Sequence, residues 1–182
     1  MPRNRISSHA YILAKCERLE VEYEDMVKLI KPLLQQYNAG KRDRGNILTL
    51  VRVQGGKQQI RRRFLEMVRN MDKFTDHDRA VFAYAVACTD WFEEKSDMLL
   101  EQMKNKVEDG EEMVYILQGA YLNDEPMTDS TINNELHLSD GTFGRKKKDA
   151  IVLYGDLILE YAIRREKEDI EKGLIDPPDF KL

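Results

Sequence analysis

The sequence predicts an all-α fold. Its apolar residues recur at intervals of three and four, it has only ten Gly and five Pro in 182 residues, and strand-like alternation is weak throughout. The pattern divides into an N-terminal helical region with a long heptad helix (1–110), a C-terminal helix-turn-helix unit (111–169) and a tail (170–182). Six or seven helices are expected. A hydrophobic fraction of 42% is enough for a core, and the charged fraction of 34% is above average.

The first helix is predicted over residues 7–37. Ile12, Cys16, Leu19, Tyr23, Met26, Ile30, Leu33 and Tyr37 form an a/d seam of more than three heptads. Such a seam packs on its own chain or forms a homodimer, and the spacing leaves both open. Pro32 sits within it, where the helix is expected to end or kink. Asn38-Ala39-Gly40 is expected to close the helix.

Residues 41–73 form a basic block of ten Lys and Arg against three acids. Gly55-Gly56 splits it into two helices, the second with Ile60, Phe64, Met67, Val68 and Met71 on its apolar face. Thr75 or Asp76 can cap the next helix. Val81, Tyr84, Cys88, Trp91, Phe92, Leu99 and Met103 mark that helix as long and apolar on one side. Residues 75–112 carry eleven acids against four bases. The two blocks either pair inside the fold or orient the molecule on a polyanion. At a net charge of −4, any nucleic-acid contact must be locally basic.

After a boundary at 108–110 comes a short helix with Val114, Tyr115, Leu117 and Tyr121, then a loop at 123–126. Thr128 or Asp129 can cap a helix carrying Ile132 and Leu136. His137-Leu138-Ser139 makes a tight turn, and Ser139 can cap a last helix from Asp140 to about Lys167. A helix-turn-helix needs this spacing: Ile132, Leu136, Leu138, Phe143 and Ile151 face inward. Thr142, Arg145, Lys146, Lys148 and Asp149 then face outward, near a helix N-terminus that suits a major groove and its phosphates. Residues 176–178 read as a free tail.

Residues 121–151 resemble the ArpU/RinA-like phage transcriptional regulators, whose DNA-binding end is similar to region 4 of sigma factors. The matching features are Tyr121-Leu122, Ile132 with Leu136, the Leu138-Ser139 turn, Thr142-Phe143, the run Arg145-Lys146-Lys147-Lys148, and Ala150-Ile151. The resemblance implies control of phage or prophage late genes, with double-stranded DNA as partner and RNA polymerase as a second. It implies a DNA-facing set of Ser139, Thr142, Arg145, Lys146 and Lys148. Arg61 and Arg62 of the basic block are the expected helpers on phosphate. Gly144 departs from the family, which often has a second aromatic there. No aromatic-rich basic helix that would melt a promoter is evident, which favours a free-standing regulator over a sigma-like subunit.

Chemistry is not indicated by the residue pattern. The adjacent acids Glu93-Glu94 and Glu111-Glu112 diverge on a helix, and His9, His77 and His137 are isolated. Cys16 and Cys88 are too far apart in sequence for a zinc knuckle and read as reduced core thiols. No catalytic residue, metal site or cofactor is therefore expected. Nor is a leader or a membrane span, so a cytoplasmic location is expected, and the resemblance implies that the cell is a bacterial host. Two alternatives remain: a helical protein-interaction adaptor without DNA binding, and a small terminase-like DNA-packaging protein.

Overall fold

A computed structural model describes residues 7–53 and 56–182, apart from the side chains of residues 45–53, Asp90 and Trp91. The expected core position of Trp91, the Arg52 head group and the first glycine of Gly55-Gly56 lie outside the described residues. Those residues form eight α-helices and no strand.

Helix α1 (Ser8–Leu19) is capped by Ser7, whose Oγ accepts from the Ala10 N–H at 3.2 Å. Helix α2 (Tyr23–Val53) follows after three residues. The single helix expected over 7–37 is therefore two. Glu20 adopts a left-handed φ of 55°, and the Val21 N–H returns to the Cys16 carbonyl at 3.0 Å, a local closure that ends α1. The seam survives the break, but it faces the chain's own interior. Ile12, Cys16, Met26, Ile30, Leu33 and Tyr37 are all buried. Of the two options the spacing left open, this is packing of the seam on its own chain.

Two expected helix breaks are absent. Pro32 lies within α2, where it removes only the ladder bond to the Lys28 carbonyl while Ile30, Leu33 and Leu34 anchor the helix in the core. Gly40 does not terminate α2 but serves a helix crossing: a Cβ there would sit 2.5 Å from the backbone carbon of Ala87. Ala87 ends α4 (Asp76–Ala87), so α2 and α4 meet nearly backbone to backbone.

Helix α3 (Lys57–Arg69) starts after Gly56 at φ 82° and buries Ile60, Phe64, Leu65 and Met67. One 3₁₀ turn (Met71–Lys73) leads into α4, where Thr75 and Asp78 form a reciprocal capping box. The expected long helix breaks at Thr89. The Thr89 hydroxyl donates to the Val86 carbonyl at 2.7 Å and accepts from the Phe92 N–H at 3.2 Å, so it caps α5 (Asp90–Lys106) instead of continuing α4. Val81, expected on the apolar face, is 51% exposed.

Helix α6 (Gly110–Leu117) runs into a π turn (Gln118–Leu122), then come α7 (Asp129–Leu136) and α8 (Asp140–Glu171). Thr128 caps α7 and Ser139 caps α8, as expected from sequence. Helix α8 passes through the middle of the molecule, with residues 149–159 all buried against α1, α2, α3, α5 and α6. The core is continuous from Ile12 to Ala162 and takes Leu99 and Met103 from one side of position 110 and Met113, Val114 and Leu117 from the other. Ile151 belongs to this main core. A smaller cluster joins Ile116, Ile132 and Phe143, with Ala120, Met127, Leu136 and Leu138 around it.

The tail is not free. Phe180 and Leu182 pack on the core, Lys181 Nζ lies 2.6 Å from the Glu20 carboxylate, and Arg62 Nη2 donates to the Asp176 carbonyl at 2.5 Å. Among the described residues no helix is long and apolar enough to cross a membrane.

Candidate nucleic-acid interface

The candidate surface is built where α6, α7 and the start of α8 meet. Ile132 on α7 and Phe143 on α8 bury against Ile116 of α6, and the turn between α7 and α8 is three residues long. His137 takes the left-handed conformation at φ 54° and closes α7 through its N–H. Its N–H bonds the Asn134 carbonyl, and Leu138 N–H bonds the Asn133 carbonyl. Polar ties brace the corner from outside. Asn133 Nδ2 donates to Asp140 Oδ1 at 2.8 Å, Lys147 Nζ donates to Asp129 Oδ1 at 2.6 Å, and the Tyr115 hydroxyl donates to Glu135.

The five positions expected to face DNA divide into distinct environments. Ser139 is exposed, and its Oγ both caps α8 and lies 2.9 Å from Thr142 Oγ1. Thr142 is half-buried. Arg145 is exposed and has no ion-pair or hydrogen-bond partner among the described residues. Lys148 is half-exposed and reaches Glu24 of α2 at 3.1 Å, across a pair that is open to water. Lys146 is turned aside. Its Nζ donates to Glu112 and lies 3.4 Å from Asp109, so it clamps α8 to α6. Burial opposes the Lys146 charge, but Glu112 and Asp109 outweigh it and hold the ammonium protonated above its usual range. Lys146 is thus corrected from a DNA-facing residue to an internal tie.

Asp149 also departs from expectation. It was expected outward but is buried, with the Tyr23 hydroxyl donating to its Oδ1 at 2.7 Å and His9 Nδ1 at 2.8 Å from the same oxygen. Burial, then this bond, raises the Tyr23 hydroxyl above its ordinary range. These partners lie 126 and 140 positions away in sequence. No local spacing announces them.

The helpers Arg61 and Arg62 are corrected outright. Arg61 is buried, with Nε at 2.7 Å from Glu166 and Nη2 at 2.7 Å from Asp169. Arg62 holds the other oxygen of Glu166 at 2.8 Å. The reason is that α3 packs on the late turns of α8, which present acids to it. Elsewhere in the block, Arg44 donates to Glu93 at 2.8 Å, and Lys41 lies 3.6 Å from Glu93 and 3.2 Å from Asp124. Arg69 donates to the carbonyls of Leu19 and Glu20. At Glu93 the basic and acidic blocks do pair within the fold.

What stays open on α8 is a stripe at positions 141, 144, 145 and 148, which share a face at helical spacing. Gly141 and Gly144 are exposed, and a Cβ on either would meet nothing within 4 Å. Each glycine in a helix costs about 1 kcal/mol relative to Ala. Packing within the chain does not require either one.

No family model, curated protein or solved structure matches this chain.

Proposed function

We propose that this chain is a sequence-specific DNA-binding regulator of phage or prophage genes, late genes first, that lays the first turns of α8 against a duplex. The observation that carries the reading is the exposed stripe at the start of α8. It offers an unpaired Arg145, a loosely held Lys148, and two glycines that let a phosphate or base edge approach the helix backbone. The braced α7, the three-residue turn and the Ser139 cap support it, because a reading helix must be held rigidly. The resemblance of residues 121–151 to phage regulators supports the gene class. The DNA face is smaller than the sequence implies: Ser139, Thr142, Arg145 and Lys148.

The test is anisotropy binding of the full chain to duplexes selected from a random pool, over a salt series. Affinity should fall steeply with salt, and the double variant Arg145→Ala, Lys148→Ala should lose it. Unchanged affinity in that variant sinks the reading.

One observation favours a second reading, a protein-interaction adaptor. A groove of about 660 Å³ between α3 and α4 is lined by Met67, Val81, Phe82 and Ala85, with Arg63 and Glu66 at its side. If no selected duplex binds while Val81→Asp abolishes capture of a defined partner, that reading stands instead. Ring-sized assemblies in light scattering would point to the packaging alternative.

A further inference from the structure

We infer that the cavity between the α1–α2 turn and the end of α3 docks a peptide segment of another protein, one in which lysine or arginine alternates with apolar side chains. It is a different cavity from the groove between α3 and α4, and nothing in the inference depends on the α8 stripe.

The cavity has a volume of about 260 Å³. It lies where two chain breaks meet. Glu20 turns the chain at φ 55° after α1, and α3 stops at Arg69 before the 3₁₀ turn. The floor is apolar. Met26 and Leu29 are buried, while Val21, Val68 and Met71 pack on the core and remain partly exposed. Partly exposed apolar side chains around a concave floor are what an incoming apolar side chain covers.

The chain already seats a segment at the edge of this cavity. Glu20 and Arg69 line it, and both hold Lys181. Lys181 Nζ lies 2.6 Å from each oxygen of the Glu20 carboxylate, and Arg69 Nε donates to the Lys181 carbonyl at 3.1 Å. Phe180 and Leu182, on either side, pack against the core. Phe180-Lys181-Leu182 is therefore a pattern that this surface accepts: an ammonium on Glu20 with an apolar side chain before and after it.

The hold on that segment is light. The Lys181 and Glu20 side chains are 69% and 57% exposed, and an ion pair so open to water contributes little. Gly173 at φ 68° closes the end of α8, with the Leu174 N–H on the Asp169 carbonyl at 2.9 Å, and residues 174–182 form no helix. Pro177-Pro178 have fixed φ, so the segment can leave its seat without gaining much freedom there.

The cavity also offers more than the seated segment uses. Glu22, Asp25 and Asp72 stand on its rim. Asp25 is paired with Lys28 at 2.9 Å, but Glu22 and Asp72 are exposed and have no ion pair among the described residues. Arg69 is spent on the carbonyls of Leu19, Glu20 and Lys181. What is left is a demand for positive charge beside apolar volume. Asp179 of the chain's own segment supplies neither. A partner segment with a second cation near its lysine complements Glu20 and the two unpaired acids together, and so displaces residues 180–182.

The test is fluorescence anisotropy of the full chain with a labelled peptide of residues 177–182 carrying Asp179→Lys. The peptide should bind saturably. The full-chain variant Lys181→Ala, which loosens the seated segment, should bind it about two- to fivefold more tightly. The full-chain double variant Glu22→Lys, Asp72→Lys should weaken binding at least about tenfold at an unchanged melting temperature, because both side chains are exposed and unpaired. Should it fail to fold, Asp72→Asn removes one charge at the same size, and a weaker Kd supports the dock while an equal Kd overturns it. Adding Phe180→Ser to the peptide should weaken binding at least about fivefold. Binding that survives that change is charge attraction alone and overturns the inference. So does the absence of saturable binding to the Lys181→Ala chain up to about 1 mM peptide. Light scattering decides the other occupant: a wild-type dimer that Glu20→Lys dissolves assigns the seat to residues 180–182 of a second copy, and overturns the assignment to another protein.

Discussion

Arg61 donates from Nε to Glu166 at 2.7 Å, and the Glu166 side chain has no solvent exposure at all. Asp169 takes the same guanidinium through Nη2, and Arg62 takes the second oxygen of Glu166. Removing Arg61 would take the cation from Asp169 and leave Glu166 to Arg62 alone. Arg61→Ala should cost about 3–5 kcal/mol in urea unfolding. Arg61→Met combined with Glu166→Leu and Asp169→Leu should recover most of that loss, because it removes the charge along with both its partners. Recovery of less than half would mean that these charges fix the packing of α3 on α8 and do more than compensate one another.

Two glycines should respond oppositely to alanine. Gly40→Ala forces a methyl into the Ala87 backbone, and thermal unfolding should show a loss of about 1–3 kcal/mol. Gly144→Ala meets open space and should stabilise by up to about 1 kcal/mol. Gly144→Glu should fold equally well and lose duplex binding. A neutral Gly40→Ala would mean that α2 and α4 slide apart easily.

Lysines of the basic run already hold acids from three different elements: Glu112 of α6 on Lys146, Asp129 of α7 on Lys147, and Glu24 of α2 on Lys148. Those carboxylates compete with phosphates for the same ammonium groups. Glu24→Gln and Asp129→Asn should each raise duplex affinity by a factor on the order of 2–5, most clearly at low salt. Weaker binding in both variants would count against α8 as the DNA-facing element.

Asp156 gives a pH signature. It is buried in α8, and its hydrogen-bond donor is the Cys16 thiol, with Sγ at 3.6 and 3.8 Å from its two oxygens. Burial pushes its carboxyl up to about 7 against the pull of Lys15, and burial followed by Asp156 pushes the Cys16 thiol up to about 12. The folded value lies above the unfolded one, so the native state holds the extra proton between about pH 4 and pH 7. This group's contribution to stability therefore falls as pH rises through that window and is level above it. Asp156→Asn should stabilise the chain more at pH 8 than at pH 4.5 in guanidinium titrations. An equal effect at both values would place the titration elsewhere.

Features that depend on near neighbours were readable from the sequence. The caps at Thr75, Thr128 and Ser139 each bond an N–H three positions on, and the tight turn at 137–139 follows from its own residues. Features set by distant neighbours were not. Gly40 has the composition of a helix stop and becomes a crossing point only because Ala87 arrives there. The triplet at 61–63 resembles any solvated basic run until α8 brings Glu166 to it from 104 positions away. Two of the five positions expected outward changed for the same reason: Lys146 and Asp149 face inward because α6, α1 and α2 cover them.

The placement of α8 has a consequence for how the chain comes to be folded. The helix that fills the middle of the molecule lies near the end of the sequence, and its contacts close long loops: Ser96 with Tyr154 across 58 positions, Cys16 with Asp156 across 140. Loop-closure entropy must be met before such contacts contribute, so folding will be slow for a helical protein. A fragment ending at residue 139 has no surface on which α1, α3 and α5 can collapse together. Supplied afterwards as a separate peptide, residues 140–182 should act as the template that gathers them.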